Sequence, residues 1–294
     1  MARPPRKEFE NALYHVTSRG NARQVIFHND WDRRRFLVQL QANMEQYGVE
    51  LYAWVLMSNH YHLVVRTPRG NLGRFMQRLN SSYSLYYRYK HSKPGHAFGG
   101  RYKARLVESD DYLLAVTRYV HLNPVKTKAA RQKTAKERVG MLEGYAWSSY
   151  PDYVKSRAPA GWLKYTVLEG YGRTVEEARR RYRAYTRAMV EGNDDSLGKL
   201  MKRSGYALGS EEYVEKVERE LSRPQTGQAK DADIQRVWRG VAFSMIDQKV
   251  GRMYGVDPRQ FRRHGNAVGE AKAVAVELAA RWSGKTQRQI GAYY

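Results

Sequence analysis

Residues 58–68 read SNHYHLVVRTP, with His60 and His62 flanking Tyr61 inside an otherwise apolar run. β-Branched and aromatic residues dominate this stretch, which reads as a strand over 60–66. Side chains two apart on a strand share a face, so both imidazoles can meet at one point while Tyr61 faces away. Two imidazoles so placed are candidate metal ligands, although a His-x-His spacing alone also fits a buried histidine with ordinary hydrogen bonds.

Working outward, NALYHVTS (residues 11–18) reads as a first strand, ended by turn chemistry at Gly20-Asn21 with Arg19 and Arg23 beside it. Asn29 or Asp30 can cap a helix from Trp31 whose stripe of Phe36, Leu37, Leu40 and Met44 runs to Tyr47, where Gly48 stops it. Residues 49–57 form the strand before the histidine strand, joined to it at Ser58-Asn59. Leu72, Phe75, Met76, Leu79, Tyr83 and Tyr86 keep helical spacing, predicting a helix over 71–90. The loop HSKPGHAFGG (91–100) is expected to carry contacts more than core. A short strand over 101–108 would set Arg101, Lys103 and Arg105 on one face as a phosphate track.

Ser109 or Asp110 then caps a helix in which Tyr119 and Asn123 lie four apart on one face, and Pro124 ends it near Asn123. A phenol at a helix end can attack phosphorus, and the Asn123 amide oxygen can turn toward the metal held by the histidines. The alternative for Tyr119 is a half-buried tyrosine packing its helix. The order strand, helix, strand, strand, helix, strand, helix fits an α+β fold, a small antiparallel sheet backed by helices on one face. Beyond YAWSSYPDYV (145–154) the pattern turns helical, over 174–191 and 211–222. A linker follows at 223–231, and then helices over 232–250, 257–263, 267–282 and 285–292. The expected division is 1–150 catalytic, 151–230 extension and linker, and 231–294 a C-terminal helical domain.

Composition narrows the function classes. The 294 residues carry 52 Lys and Arg against 29 Asp and Glu, a net +23, with 23 tyrosines and no cysteine. A field of that sign concentrates polyanions, and aromatic faces interleaved with cations suit unpaired nucleic-acid strands. Absence of cysteine excludes disulfides and thiolate zinc sites. The charged N-terminus lacks an apolar signal core, and no run approaches the ~20 apolar residues of a membrane span, so a cytoplasmic location is expected.

The segments ALYHVTSRGN, DRRRFL, AWVLMSNHYHLVV, GRYKARLVESDDYLLAVTRYVHLNPVK and YAWSSY, in that order, resemble the single-tyrosine HUH transposases, specifically the REP-associated tyrosine transposases. The resemblance covers about the first 150 residues. It implies a ferredoxin-like fold, Mg²⁺ or Mn²⁺ held by His60, His62 and Asn123, and Tyr119 as nucleophile. Tyr61 stands where the family usually has a bulky hydrophobe. Tyr89, Tyr102 and Tyr112 are rivals, but only Tyr119 precedes the His-Leu-Asn-Pro segment as the family's nucleophile does. The family cleaves and rejoins single-stranded DNA at REP-type hairpins through a 5′-phosphotyrosine. That implies hairpin DNA as partner, a bacterial nucleoid-associated location, and a monomer or homodimer. Arg19, Arg23, Arg101, Lys103 and Arg105 are candidate DNA contacts. The stretch 250–294 resembles the DNA-binding domain of the bacterial replication initiator DnaA, with Arg262, Arg263 and His264 in the position of its basic loop. The chain stops before the segment of that domain that carries the base-reading signature, so duplex contact without sequence readout is expected. The competing functional readings are a catalytically idle hairpin-binding regulator and an RNA-binding protein.

Overall fold

The computed structural model describes residues 8–93, 95–108, 110–155, 160–192, 194–222, 242–262, 268–282 and 287–294. The chain divides into two compact units, Met1–Ser222 and Arg223–Tyr294.

In the first unit the order is β1 (Ala12–Arg19), α1 (Asp30–Tyr47), β2 (Glu50–Leu56), β3 (His60–Thr67), α2 (Leu72–His91), β4 (Lys103–Val107) and α3 (Asp110–His121). The four strands line up β2-β3-β1-β4, each neighbour antiparallel. This is the split β-α-β arrangement of a ferredoxin-like fold. Asn29 caps α1 by accepting from the Asp32 amide, and Gly48 closes it at φ 65°, the left-handed geometry that glycine tolerates.

The strands bury both faces. Tyr14, Val16, Tyr61, Leu63, Val65 and Leu106 face α1 and α2, packing on Phe36, Leu40, Phe75, Met76, Leu79 and Tyr83. Leu13, Val55, Val64 and Val107 face the other way, against Leu113, Val116 and Val120 of α3 and aromatic residues from later in the chain. Helices therefore cover both faces, not one, and α3 is joined on the second by elements after residue 121. These are α4 (Lys128–Arg131), α5 (Ala135–Gly144), α6 (Tyr150–Val154), α7 (Val175–Glu191), α8 (Ser196–Arg203), β5 (Ala207–Leu208) and α9 (Glu211–Ser222). Strand β5 pairs parallel with β4 and makes the sheet five-stranded and mixed. Two residues carry no periodicity, which hid β5 in the sequence. Trp147 to Ser149 clip onto β2 through Leu56 N–H to Trp147 C=O and Ser149 N–H to Trp54 C=O, 2.9 Å each.

Three other expectations change. The 91–100 loop contributes core, since Ala97 and Phe98 are buried beside α2 and the Asn21 amide donates to the Ala97 carbonyl at 3.0 Å. Arg101 precedes β4, so only Lys103 and Arg105 form a same-face row. Helix α3 ends at His121, and Asn123 opens a 3-10 turn, Asn123–Lys126, with Pro124 in its first positions.

The second unit holds α10 (Phe243–Tyr254), a 3-10 turn (Pro258–Arg262), α11 (Gly269–Trp282) and α12 (Gln287–Tyr293). Ile246, Val250, Phe261, Ala271, Ala275, Ala279 and Ile290 form its core. The buried Asp247 accepts from the hydroxyls of Tyr293 (2.9 Å) and Tyr294 (2.8 Å), which satisfies a carboxylate that would otherwise be costly there. The expected linker, 223–231, lies outside the described residues.

Candidate active site at the end of the central strands

Register assembles the site. Opposite β3, Arg19 pairs with His60 and Thr17 with His62; opposite β4, Thr17 pairs with Lys103 and His15 with Arg105. His15, Thr17, Arg19, His60, His62, Lys103 and Arg105 therefore crowd one end of one face. Tyr61 turns to the other, fully buried with its hydroxyl donating to Asn80.

The two histidine rings stand 5.1 Å apart, centroid to centroid, at 76°. His60 Nδ1 lies 2.7 Å from Asn59 Oδ1. An amide oxygen only accepts, so Nδ1 carries the proton and Nε2 keeps its lone pair. His62 Nδ1 lies 2.9 Å from His15 Nε2 and 3.1 Å from Thr17 Oγ1, and with Nδ1 donating its Nε2 is free too. Outer hydrogen bonds of this kind fix the tautomer and aim of metal-ligating histidines. Burial holds both imidazoles neutral. It lowers His60 to about 4, helped by the Arg19 charge, and His62 well below its ordinary value, helped by His15 and His60.

Tyr119 reaches the same spot from α3. Its ring meets His62 edge-on at 6.0 Å and His15 at 5.8 Å. Burial raises its phenol, and the Arg105 and Arg19 charges oppose that rise. Tyr102 is buried in the α1–α2 layer and Tyr89 is 79% exposed; Tyr112 shares α3 and its cluster with Tyr119, but it is the Tyr119 ring that meets the histidines. Asn123 Nδ2 donates to the Tyr119 carbonyl at 2.9 Å and the Val120 carbonyl at 3.4 Å. Carbonyls only accept, so this assignment of the amide is chemical, and it leaves Oδ1 as the outward donor atom.

Among the described residues no trio of His, Cys, Asp or Glu is arranged to hold a metal ion. Two unspent imidazole nitrogens with an amide oxygen nonetheless suit a divalent ion that keeps positions open for phosphate oxygens. Arg105 departs from its expected role in an open phosphate track. Its Nε donates to the Ser204 carbonyl at 2.9 Å, it is partly buried, and its charge acts on Tyr119. Arg23 sits exposed in a turn with Ala22 and Arg23 both at positive φ, 47° and 61°. Arg262 donates to the Tyr293 hydroxyl at 2.7 Å; Arg263 and His264 lie outside the described residues.

Sequence reasoning passed over His15, Thr17, Asn59 and Lys126. The first two had a signal, since period-2 alternation puts them on one face of β1. What was missing was the register that sets that face beside His62.

Fold and site together define an α+β domain with a His-x-His strand facing a helix-end tyrosine. Residues 8–123 match the family described as transposase IS200-like. The match takes in His60, His62, Tyr119 and Asn123. Among solved structures, a REP-associated tyrosine transposase bound to a REP hairpin is similar at 14% identity and a TM-score of 0.41, over 56% of this chain and 92% of that one. A protein of Deinococcus radiodurans R1 assigned as a transposase is similar at 20% identity and a TM-score of 0.31, over 40% of this chain and 95% of that one. No curated protein sequence matches the chain. Among the described residues no helix is long and apolar enough to cross a membrane.

Proposed function

We propose that this chain cleaves and rejoins single-stranded DNA at REP-type hairpins through a covalent bond to Tyr119. The observation that carries this is the meeting of Tyr119, alone among the rival tyrosines, with the His62 ring at 6.0 Å. The Tyr119 oxygen attacks the phosphorus and gives up its proton. The bond to the 3′ oxygen breaks, leaving a 3′-hydroxyl and a 5′-phosphotyrosine. Because the phosphotyrosine is a diester like the bond it replaces, the 3′-hydroxyl of a strand can reverse the step without an energy source.

His60, His62 and the Asn123 oxygen would hold Mg²⁺ or Mn²⁺, which polarises the phosphodiester and offsets the charge that grows on it. Asn59 and His15 keep the two imidazoles aimed, and burial keeps them neutral. Arg19 and Arg105 favour an ionised Tyr119 and attract the phosphate. The exposed Arg23 turn, Arg101 and Lys103 supply hairpin contacts.

A labelled hairpin oligonucleotide with single-stranded flanks, incubated with Mg²⁺ or Mn²⁺ and run on a denaturing gel, tests this. Wild type should give a protein-linked strand and Tyr119→Phe none. Hairpin binding without any adduct would make the chain an idle hairpin-binding regulator, and tighter binding to the RNA version of the hairpin would make it an RNA-binding protein.

A further inference from the structure

Lys126 closes the 3-10 turn that begins at Asn123, so the tyrosine, the amide ligand and this lysine come from one eight-residue stretch. Its Nζ lies 5.2 Å from the centroid of the Tyr119 ring. The ammonium is shielded from solvent and has no hydrogen-bond partner. Its ion contact is Asp195 at the start of α8, 3.7 Å away, with the carboxylate itself 45% exposed. A loose pair at that distance with a partly exposed carboxylate contributes little, whereas an ammonium out of water with unused donors is costly. Such an arrangement persists where the donors serve an anion that arrives later. Burial lowers the Lys126 ammonium, and Asp195 and Asp194 oppose this.

We propose that Lys126 is a further catalytic residue, whose ammonium exchanges Asp195 for a non-bridging oxygen of the phosphodiester that becomes linked to Tyr119. It stays protonated throughout and transfers no proton. It neutralises one of the phosphate charges during attack and again in the phosphotyrosine. Asp195 holds its place between turnovers, so the helical extension after residue 160 completes the site. This rests on the strand-cleavage reading above and deepens it.

The test is single-turnover adduct formation with the same flanked hairpin, with hairpin affinity and Tm measured alongside. Lys126→Gln should slow the adduct by about 100-fold, the scale of removing one preorganised charge donor, with hairpin Kd within about threefold. Lys126→Arg should recover at least a tenth of the wild-type rate, since it restores the charge. Asp195→Asn, which removes the competing carboxylate, should raise the rate by up to about fivefold. With a neutral methylphosphonate at the cleaved linkage, wild type and Lys126→Gln should react equally. Adduct from wild type and equally from Lys126→Gln, or a slower Asp195→Asn, overturns this proposal alone. No adduct from wild type overturns the cleavage reading with it.

Discussion

His121 closes α3 and the His60–His62 pair opens β3; both lie on the same side of the sheet and are put to opposite uses. His121 spends both ring nitrogens, Nδ1 on the Tyr182 hydroxyl at 2.6 Å and Nε2 on Ser149 Oγ at 2.7 Å, inside a cage of Tyr150, Tyr153 and Tyr182. His60 and His62 each spend Nδ1 alone. Burial lowers all of them, His121 to about 3, so neither burial nor a lowered pKa distinguishes a ligand from a core histidine. The unspent nitrogen does.

The contrast breaks most sharply under alanine substitution. His60→Ala or His62→Ala should cut adduct formation by at least about 10³-fold, the scale of losing a catalytic unit, with hairpin Kd within about threefold. His121→Ala should do the reverse. It leaves the buried Tyr182 hydroxyl unpaired, while Ser149 keeps its bonds to the Trp54 backbone, and with the cavity it opens should cost about 2–5 kcal/mol of stability, read as a fall in Tm, with the adduct rate per folded molecule retained. If His121→Ala abolished the adduct at unchanged Tm, the two environments would not be distinct.

Asn59→Ala sharpens the ligand side. It frees the His60 ring to rotate and should weaken Mn²⁺ binding by about 10- to 100-fold, measured by titration. An unchanged affinity would leave Asn59 merely as the tie between His60 and the Arg23 carbonyl, to which its Nδ2 donates at 3.0 Å.

Acid separates the two uses from stability. His15 and His121, each about 3 when folded against an ordinary 6.5, stay neutral in the folded chain while the unfolded chain takes up protons. Stability present above pH 6.5 is therefore lost as pH falls toward 3, by about 1.4 kcal/mol per group per pH unit. Tm should drop between pH 6.5 and 4.5, and His121→Gln should flatten the slope; a level wild-type curve would contradict the burial argument. The smallest effect expected is from deleting the chain after Pro224, which should weaken DNA binding and shallow its salt dependence. An unchanged salt slope would give the C-terminal helices a role other than duplex contact.

The elements that position the site were legible because each buries a periodic face. Alternation marked β1 and β3, and the 3.6-residue stripes marked α1, α2 and α3. The elements that finish the site were not. Strand β5 is too short for a period, and nothing local ties α8 to the site, yet this segment carries the Ser204 carbonyl and Asp195 to Arg105 and Lys126. Arg105 read as a surface cation in a basic chain; only its place opposite His15 shows it turned inward.

The sequence by itself determined the fold class, the His-x-His strand, the helix-end tyrosine and the basic character of the chain, because these follow from local spacing and composition. The tertiary structure alone decided which ring nitrogens remain unspent and which cations leave the solvent. Those depend on strand register and on hydrogen bonds between residues tens of positions apart. Local periodicity fixes which face a side chain takes, but long-range packing fixes what it meets there.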